Sequence, residues 1–366
     1  MLQSRFFKFL AAILLIFLII LVGSQITFIF SPLVVFFQTL FIPFLIAGVL
    51  FYLLRPIVNL LHSYKVPRAV AILLIYIILI GLITLLVFLV GPVLQRQVMN
   101  LVNNAPMLFD ELRRLFIQIE DNDWLARFQE TDNFSLEELG TNLTEYLYEA
   151  FDFVATNVAG FIGLVTNIIL VLIIIPFVLF YLLKDGNRAP KQMLRFLPEK
   201  QQEEGLKVLR DMDDKLASYI QGQVIVSFCV GVLMYIAFLI IGIDYSLILA
   251  LVAMFTNIVP FIGPWIGTIP AVIVALIDSP IMVFWVVTAI IIVQQIESNL
   301  ISPQVMGRKL AVHPLTIIIL ILVGGRFAGF FGLILAVPLY AITKVIISHV
   351  YRLFQLRRKN DNGLKS

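Results

Sequence analysis

The sequence predicts an all-helical, polytopic membrane protein, and three observations carry that reading. The chain of 366 residues is 61% hydrophobic and only 13% charged, against about 25% charge in an ordinary soluble domain. Its mean hydropathy is +1.01. Its apolar runs approach or exceed 20 residues, the length a spanning helix needs, and are not short alternating strands. The formal net charge of +3 gives no support to nucleic-acid binding. The single Cys229 cannot form an intrachain disulfide and reads as an inert apolar thiol. No phosphate-binding loop, HExxH, CxxC or nucleophile elbow occurs, so no enzyme, metal site or cofactor is expected.

Taken in order, a first apolar helix is predicted over about 6–23, after Arg5 and Lys8, and is retained because no small-residue cleavage site follows it. The second covers about 33–54, after Ser31-Pro32, with Pro43 as a kink. The third covers about 69–90 and ends at Gly91-Pro92. Residues 95–155 then turn acidic, with twelve Asp plus Glu, four Arg and no Lys. Val98, Leu101, Val102, Leu108, Leu112, Leu115 and Ile119 form one helical stripe, and Leu136, Leu139, Leu143, Tyr146, Leu147 and Val154 another. They predict a small extracytoplasmic module of two or three amphipathic helices.

A fourth span follows over about 158–183. A polar linker, 184–223, carries an amphipathic helix marked by Leu206, Leu209, Leu216 and Ile220. A fifth span is predicted over about 224–241, and another over 281–301. On either side of the latter lie two interrupted segments. The first, 245–277, contains VPFIGPWIGTIPA, with Pro260, Gly263, Pro264, Gly267 and Pro270. The second, 314–347, contains GGRFAGFFG, with Gly324, Gly325, Gly329 and Gly332. Pro and Gly free backbone groups and loosen helices. At membrane depth such backbone is tolerated only inside protein or along a wet cavity.

Loop charge sets the orientation. Arg5/Lys8, Arg55–Arg68, Lys184–Arg210, Arg308/Lys309 and Arg352–Lys359 belong to the cytoplasm, with both termini, and the acidic module lies outside. If each interrupted segment crossed once, Arg308, Lys309 and His313 would fall outside. If both are re-entrant hairpins, every basic cluster falls inside. The expected architecture is therefore about six full transmembrane helices plus two re-entrant hairpins whose tips meet; the alternative is eight kinked spans. In domain terms, 1–94 is a scaffold, 95–155 the module, 156–223 a span and linker, 224–350 the transport core and 351–366 a basic tail. Opposed broken hairpins are a layout that secondary transporters use.

These residues also resemble the autoinducer-2 exporter family of bacterial permeases. The likeness rests on Pro260-x-x-Gly263 with Gly267 and Pro270; on Gln295, Glu297, Asn299 and Ile301 leading to Pro303 and Met306-Gly307; on His313-Pro314; and on Gly324, Phe327, Gly329, Gly332 and Val337-Pro338. It covers essentially the whole chain. The resemblance implies a permease of the bacterial cytoplasmic membrane and a homo-oligomer, with a pentamer as the expected state. Within the family, some members are regarded as exporters of autoinducer-2 and others as sodium(lithium)/proton antiporters.

Glu297 is the sharpest candidate, because an intramembrane carboxylate is costly and usually functional. At α-helical spacing Gln294, Glu297, Ser298 and Ile301 share a face, with Gln295 and Asn299 at its edge. Arg326, at the tip of the second hairpin, is expected to pair with Glu297 or to bind solute. Thr256, Asn257 and Thr268 flank the first break and could coordinate solute or Na⁺. Three functions are compatible with these residues. The first is export of a small polar solute such as autoinducer-2 by alternating access. The second is sodium(lithium)/proton antiport through Glu297. The third is a membrane scaffold that transports nothing. The expected partners are the solute or Na⁺/H⁺, the lipid bilayer and further copies of the chain.

Overall fold

A computed structural model describes residues 27–120, 173–186, 188–196, 198–306 and 313–363, with a few residues between 11 and 21. All regular elements among them are helices: α1 (Thr27–Ser63), α2 (Arg68–Glu120), α3 (173–185), α4 (Ala189–Leu194), α5 (Glu199–Ile241), α6 (Ser246–Thr256), α7 (Ile262–Asp278), α8 (Pro280–Ile296), a π-helical turn (Glu297–Ile301), α9 (Ser302–Met306) and α10 (Pro314–Gly363). Among the described residues, five stretches are long and apolar enough to cross a membrane: Val34–Ser63, Arg68–Leu101, Gln202–Ile241, Pro280–Met306 and Phe331–His349. Most of the first predicted span, most of the acidic module, including its 136–154 stripe, and the fourth predicted span up to residue 172 lie outside the described residues.

Three expected boundaries give way to continuous helix. The second predicted span begins earlier, at Thr27, and carries Pro32, Pro43 and Pro56 inside it. The third does not stop at Gly91-Pro92. α2 runs on for 53 residues into the acidic region, because the apolar stripe from Val98 keeps a helical period across the junction. The amphipathic linker and the fifth span likewise fuse into α5, a single helix of 43 residues. α5 ends at Gly242, whose φ of +82° closes the helix in the left-handed region that glycine adopts freely.

Both interrupted segments fold back on themselves, but not where the glycines and prolines suggested. The first break spans Asn257–Phe261 and holds only Pro260 of the predicted breakers. Its backbone groups are met locally: Val259 N donates to Thr256 O, Ile262 N to Pro260 O and Gly263 N to Val259 O. Phe261 sits at φ +63°, a strained value for an aromatic residue. Gly263, Pro264, Gly267 and Pro270 lie within α7. Pro264 stands in the first turn, where a missing N–H costs nothing. Gly263 and Gly267 serve close approach instead. A Cβ on Gly263 would lie 1.9 Å from Thr256 O, and one on Gly267 would lie 2.9 Å from the Cα of Ala253.

α10 breaks at Ala328 (φ −135°) and Gly329 (φ +55°). Gly324, Gly325 and Gly332 remain helical, and a Cβ on Gly332 would lie 1.8 Å from Gly324 O. This second hairpin is asymmetric. Its first arm, Leu315–Gly329, is short, whereas its second contains the 19-residue apolar stretch Phe331–His349. The first hairpin has arms of 11 and 17 residues, about 16 and 25 Å long. Val259, at the first turn, packs with Ile321 and Ala336 on the arms of the second.

α5 is the hub: α1, α4, α6, α8, α9, α10 and the π turn all pack on it. One apolar cluster joins Val226, Val230, Met234 and Phe238 of α5 to Leu249, Ala253, Ala271, Val286 and Ile290. A second joins Ala47, Leu54 and Val58 of α1 to Ala71, Ile72 and Ile75 of α2 and Leu179 and Leu183 of α3. Polar ties fix α5 to its neighbours. Arg55 pairs with Asp213 at 2.5 Å, Gln221 Nε2 donates to Tyr52 O at 2.6 Å, and His349 Nε2 meets Asp211 Oδ2 at 2.8 Å. α2 is tied to the start of the first hairpin, with Asn104 Nδ2 donating to Tyr245 Oη and Ile248 N to Gln97 Oε1. α8 starts on Ser279, whose Oγ accepts from Met282 N, with Pro280 in its first turn. Outward faces are apolar, as at Ile78, Phe88, Phe228 and Ile240.

Gly263→Ala is expected to force α6 and α7 apart and to cost about 1–3 kcal/mol, read as a lowered melting temperature in detergent. Gly48→Ala, where nothing lies within 4 Å of the new Cβ, should melt like the parent protein.

Candidate functional site

Three elements bring one polar side chain each to the centre of the α5–α8 packing. α5 supplies Gln223, the break after α6 supplies Asn257, and the π turn supplies Glu297. Asn257 is 1% exposed and Gln223 7%. Gln223 Nε2 donates to the backbone oxygen of Asn257 at 2.6 Å. Asn257 Nδ2 in turn donates to Glu297 Oε1 at 3.3 Å. The other carboxylate oxygen, Oε2, is buried and has no hydrogen-bond partner among the described residues. The break at Asn257 thus does two jobs. It frees a carbonyl that Gln223 satisfies, and it turns an amide toward the carboxylate.

The π turn explains how Glu297 is presented. Ser302 N–H bonds back to Glu297 O, five residues earlier. The wider turn shifts the helical phase, and π turns recur at functional sites. The polar stripe read at α-helical spacing therefore divides. Gln294 and Glu297 are half-buried and face inward, and Ile301 packs against the α5 cluster. Gln295, Ser298 and Asn299 are exposed on the outer face, where Asn299 Nδ2 donates to Gln295 Oε1 at 2.8 Å and Ser298 Oγ to Gln295 O at 3.3 Å.

A cavity of about 10 Å³ adjoins the cluster, lined by Asn257, Gln294, Thr268 and Gly267 and by Met234, Phe238 and Ile290. That is room for about one water molecule. Thr268 donates to Pro264 O at 2.7 Å, and Thr256 to Val252 O at 2.8 Å, so both hydroxyls satisfy their own helices. Thr256 also fits against Gly267. Arg326 does not pair with Glu297. It is exposed, two residues before the break of α10 at Ala328. His313 stands just before α10, with Nδ1 accepting from Leu315 N. Gln223 escaped the sequence reading. Its signal is the spacing Tyr219, Gln223, Ser227, four apart, where the polar linker enters the apolar half of α5.

Multiple apolar helices around a buried carboxylate and broken helices define a multi-pass membrane protein of the transporter class. The profile of the AI-2E family transporter matches residues 14–352, and the chain belongs to that family. It is 41% identical over 360 residues to "Putative transport protein YueF" of Bacillus subtilis, covering 98% of this chain and 97% of that one. It is 33% identical over 346 residues to "Putative transport protein YrrI" of the same organism, covering 94% and 96%. It is 29% identical over 323 residues to "Putative permease PerM" of Escherichia coli, covering 86% and 88%.

Asn257→Leu removes the donor to Glu297 Oε1 and strands a buried carboxylate. It is expected to cost about 1–3 kcal/mol of stability. In a Glu297→Leu background the same substitution should cost much less. A thermal double-mutant cycle in detergent measures the difference, and additive effects would mean the pair is not coupled.

Proposed function

We propose that this membrane transporter is a cation/proton antiporter in which Glu297 is the exchanging group. The observation that carries the reading is the state of its carboxylate. One oxygen is held by Asn257, Gln294 stands beside the carboxylate, and Oε2 is buried with no hydrogen bond of good geometry among the described residues. Such a group can hold a proton or a small dehydrated cation, and the two compete for it. Competition at one acid is what antiport requires. Intramembrane carboxylates mark ion and proton pathways. The adjoining cavity, sized for a single water, suits a proton or small ion. An organic solute needs a pocket of roughly 300 Å³ or more.

Export of a small polar solute, autoinducer-2 among the candidates, is the second reading, and the family's description favours it. It requires the first hairpin to swing away from α5 and widen the cavity by alternating access. In either case the loop charges favour a topology with both termini in the cytoplasm, in the bacterial cytoplasmic membrane. A homo-oligomer is supported by the exposed Gln295–Asn299 pair, since polar side chains on a membrane helix are stabilised by facing another helix rather than lipid.

In inverted vesicles holding an acid-interior pH gradient, Na⁺ or Li⁺ is expected to dissipate the gradient. Glu297→Gln should abolish the response while leaving the melting temperature near that of the parent. No cation response, in vesicles shown to hold the gradient and folded protein, would overturn antiport of these ions and leave solute export.

A further inference from the structure

The cavity of about 10 Å³ beside the site has three polar side chains in its lining, those of Asn257, Gln294 and Thr268; Glu297 is not part of that lining. Asn257 and Gln294 are also the residues that stand beside the Glu297 carboxylate. The two amides therefore border the carboxylate on one side and the cavity on the other.

Which end of each amide faces which side follows from donor and acceptor chemistry. An ionised carboxylate only accepts, so an amide bonds it through its NH2 group. Asn257 does so, with Nδ2 on Glu297 Oε1 at 3.3 Å, and Gln294 meets the same carboxylate under the same constraint. An amide carries its oxygen and nitrogen on opposite corners of a plane. A nitrogen turned to the carboxylate leaves the oxygen for the cavity. Thr268 Oγ1 donates its single hydrogen to Pro264 O at 2.7 Å, so toward the cavity it has only lone pairs to offer. The cavity thus meets acceptor oxygens from three side chains, and the nearest formal charge is negative. Such a place suits a cation and rejects an anion. Its size, about that of one water molecule, leaves no room for a hydration shell.

We propose that this cavity is the seat of a desolvated monovalent cation, held by the side-chain oxygens of Asn257, Gln294 and Thr268, with Glu297 as its counter-charge behind the amides. The inference rests on Glu297 as the exchanging group and adds where the displaced cation sits and how a proton expels it. A protonated carboxyl has a hydrogen to donate, and the two amides are the acceptors beside it. An amide that turns its oxygen to that hydrogen swings its NH2 group into the cavity. One proton on Glu297 then removes the counter-charge and replaces an oxygen ligand with a donor that repels the cation.

Binding can be read apart from transport. For the purified full-length protein at alkaline pH, LiCl or NaCl is expected to raise the melting temperature above that in choline chloride of equal ionic strength. Gln294→Leu and Thr268→Val nearly keep side-chain size and remove one oxygen ligand each. Each should raise the half-saturating cation concentration at least about tenfold, the scale of one contact to a charged group, in thermal protection and in gradient dissipation alike. Thr268→Ser, which keeps the hydroxyl, should lose much less than Thr268→Val. Melting in choline chloride checks that each variant folds. Unchanged half-saturation in the Leu and Val variants, with the cation response still abolished by Glu297→Gln, overturns the seat and leaves antiport standing. Protection that depends on Gln294 and Thr268, in a protein that dissipates no gradient, sinks antiport and leaves the seat. No protection of the folded parent protein by either salt overturns the seat whatever the vesicles show.

Discussion

A charge-bearing group at membrane depth can be kept only by groups that are themselves kept, and the centre of this protein is built around that dependence. Glu297 needs Asn257 as its donor. Asn257 can turn its amide toward Glu297 because the chain leaves the helix there, and the carbonyl so freed needs Gln223. Gln223 is held in turn by its place on α5. Asn257 and Gln223 are buried and Glu297 is half-buried, so a lost partner in this low-dielectric interior is costly. The close contacts of Gly263 and Gly267 belong to the same dependence. They let α7 lie near enough to α6 to keep the turn, and with it Asn257, in position.

α5 transmits this arrangement outward. Its charged half reaches α1 through Arg55–Asp213 and α10 through His349–Asp211, and its apolar half carries the core cluster. The helix therefore connects surface charge, the scaffold of α1–α3 and the buried site in one rigid element. A movement of the first hairpin away from α5 would open the cavity and break the Gln223–Asn257 bond together.

Much of this was legible before any coordinates. The apolar runs named the class, the Pro/Gly stretch after Ile258 marked a folded-back segment, and Glu297 stood out by its position alone. What escaped did so for physical reasons. Glycine and proline announce both chain breaks and close packing, and composition does not separate the two; Gly263, Gly267, Gly324 and Gly332 pack, while Asn257–Phe261 and Ala328-Gly329 turn. A π turn leaves no mark in the hydrophobic period, so the stripe through Gln294, Glu297, Ser298 and Ile301 was drawn on one face although Ser298 stands on the outer one. Helix junctions at Gly91-Pro92 and at 223–224 were placed where polarity changes, yet a helix continues through such a change whenever its own bonding is intact. Gln223 was hidden because one amide at the end of a polar linker resembles the linker.

The 53 residues of α2 make a rod about 80 Å long, against a hydrocarbon layer of about 30 Å. Its bonds through Gln97 and Asn104 to Ile248 and Tyr245 grip the entrance of the first hairpin partway along its length. Roughly 24 Å of rod continues past Asn104. A rod clamped near its middle converts a small rocking of the hairpin into a larger sweep of its far end, and a load on that far end returns as torque on the turn that holds Asn257.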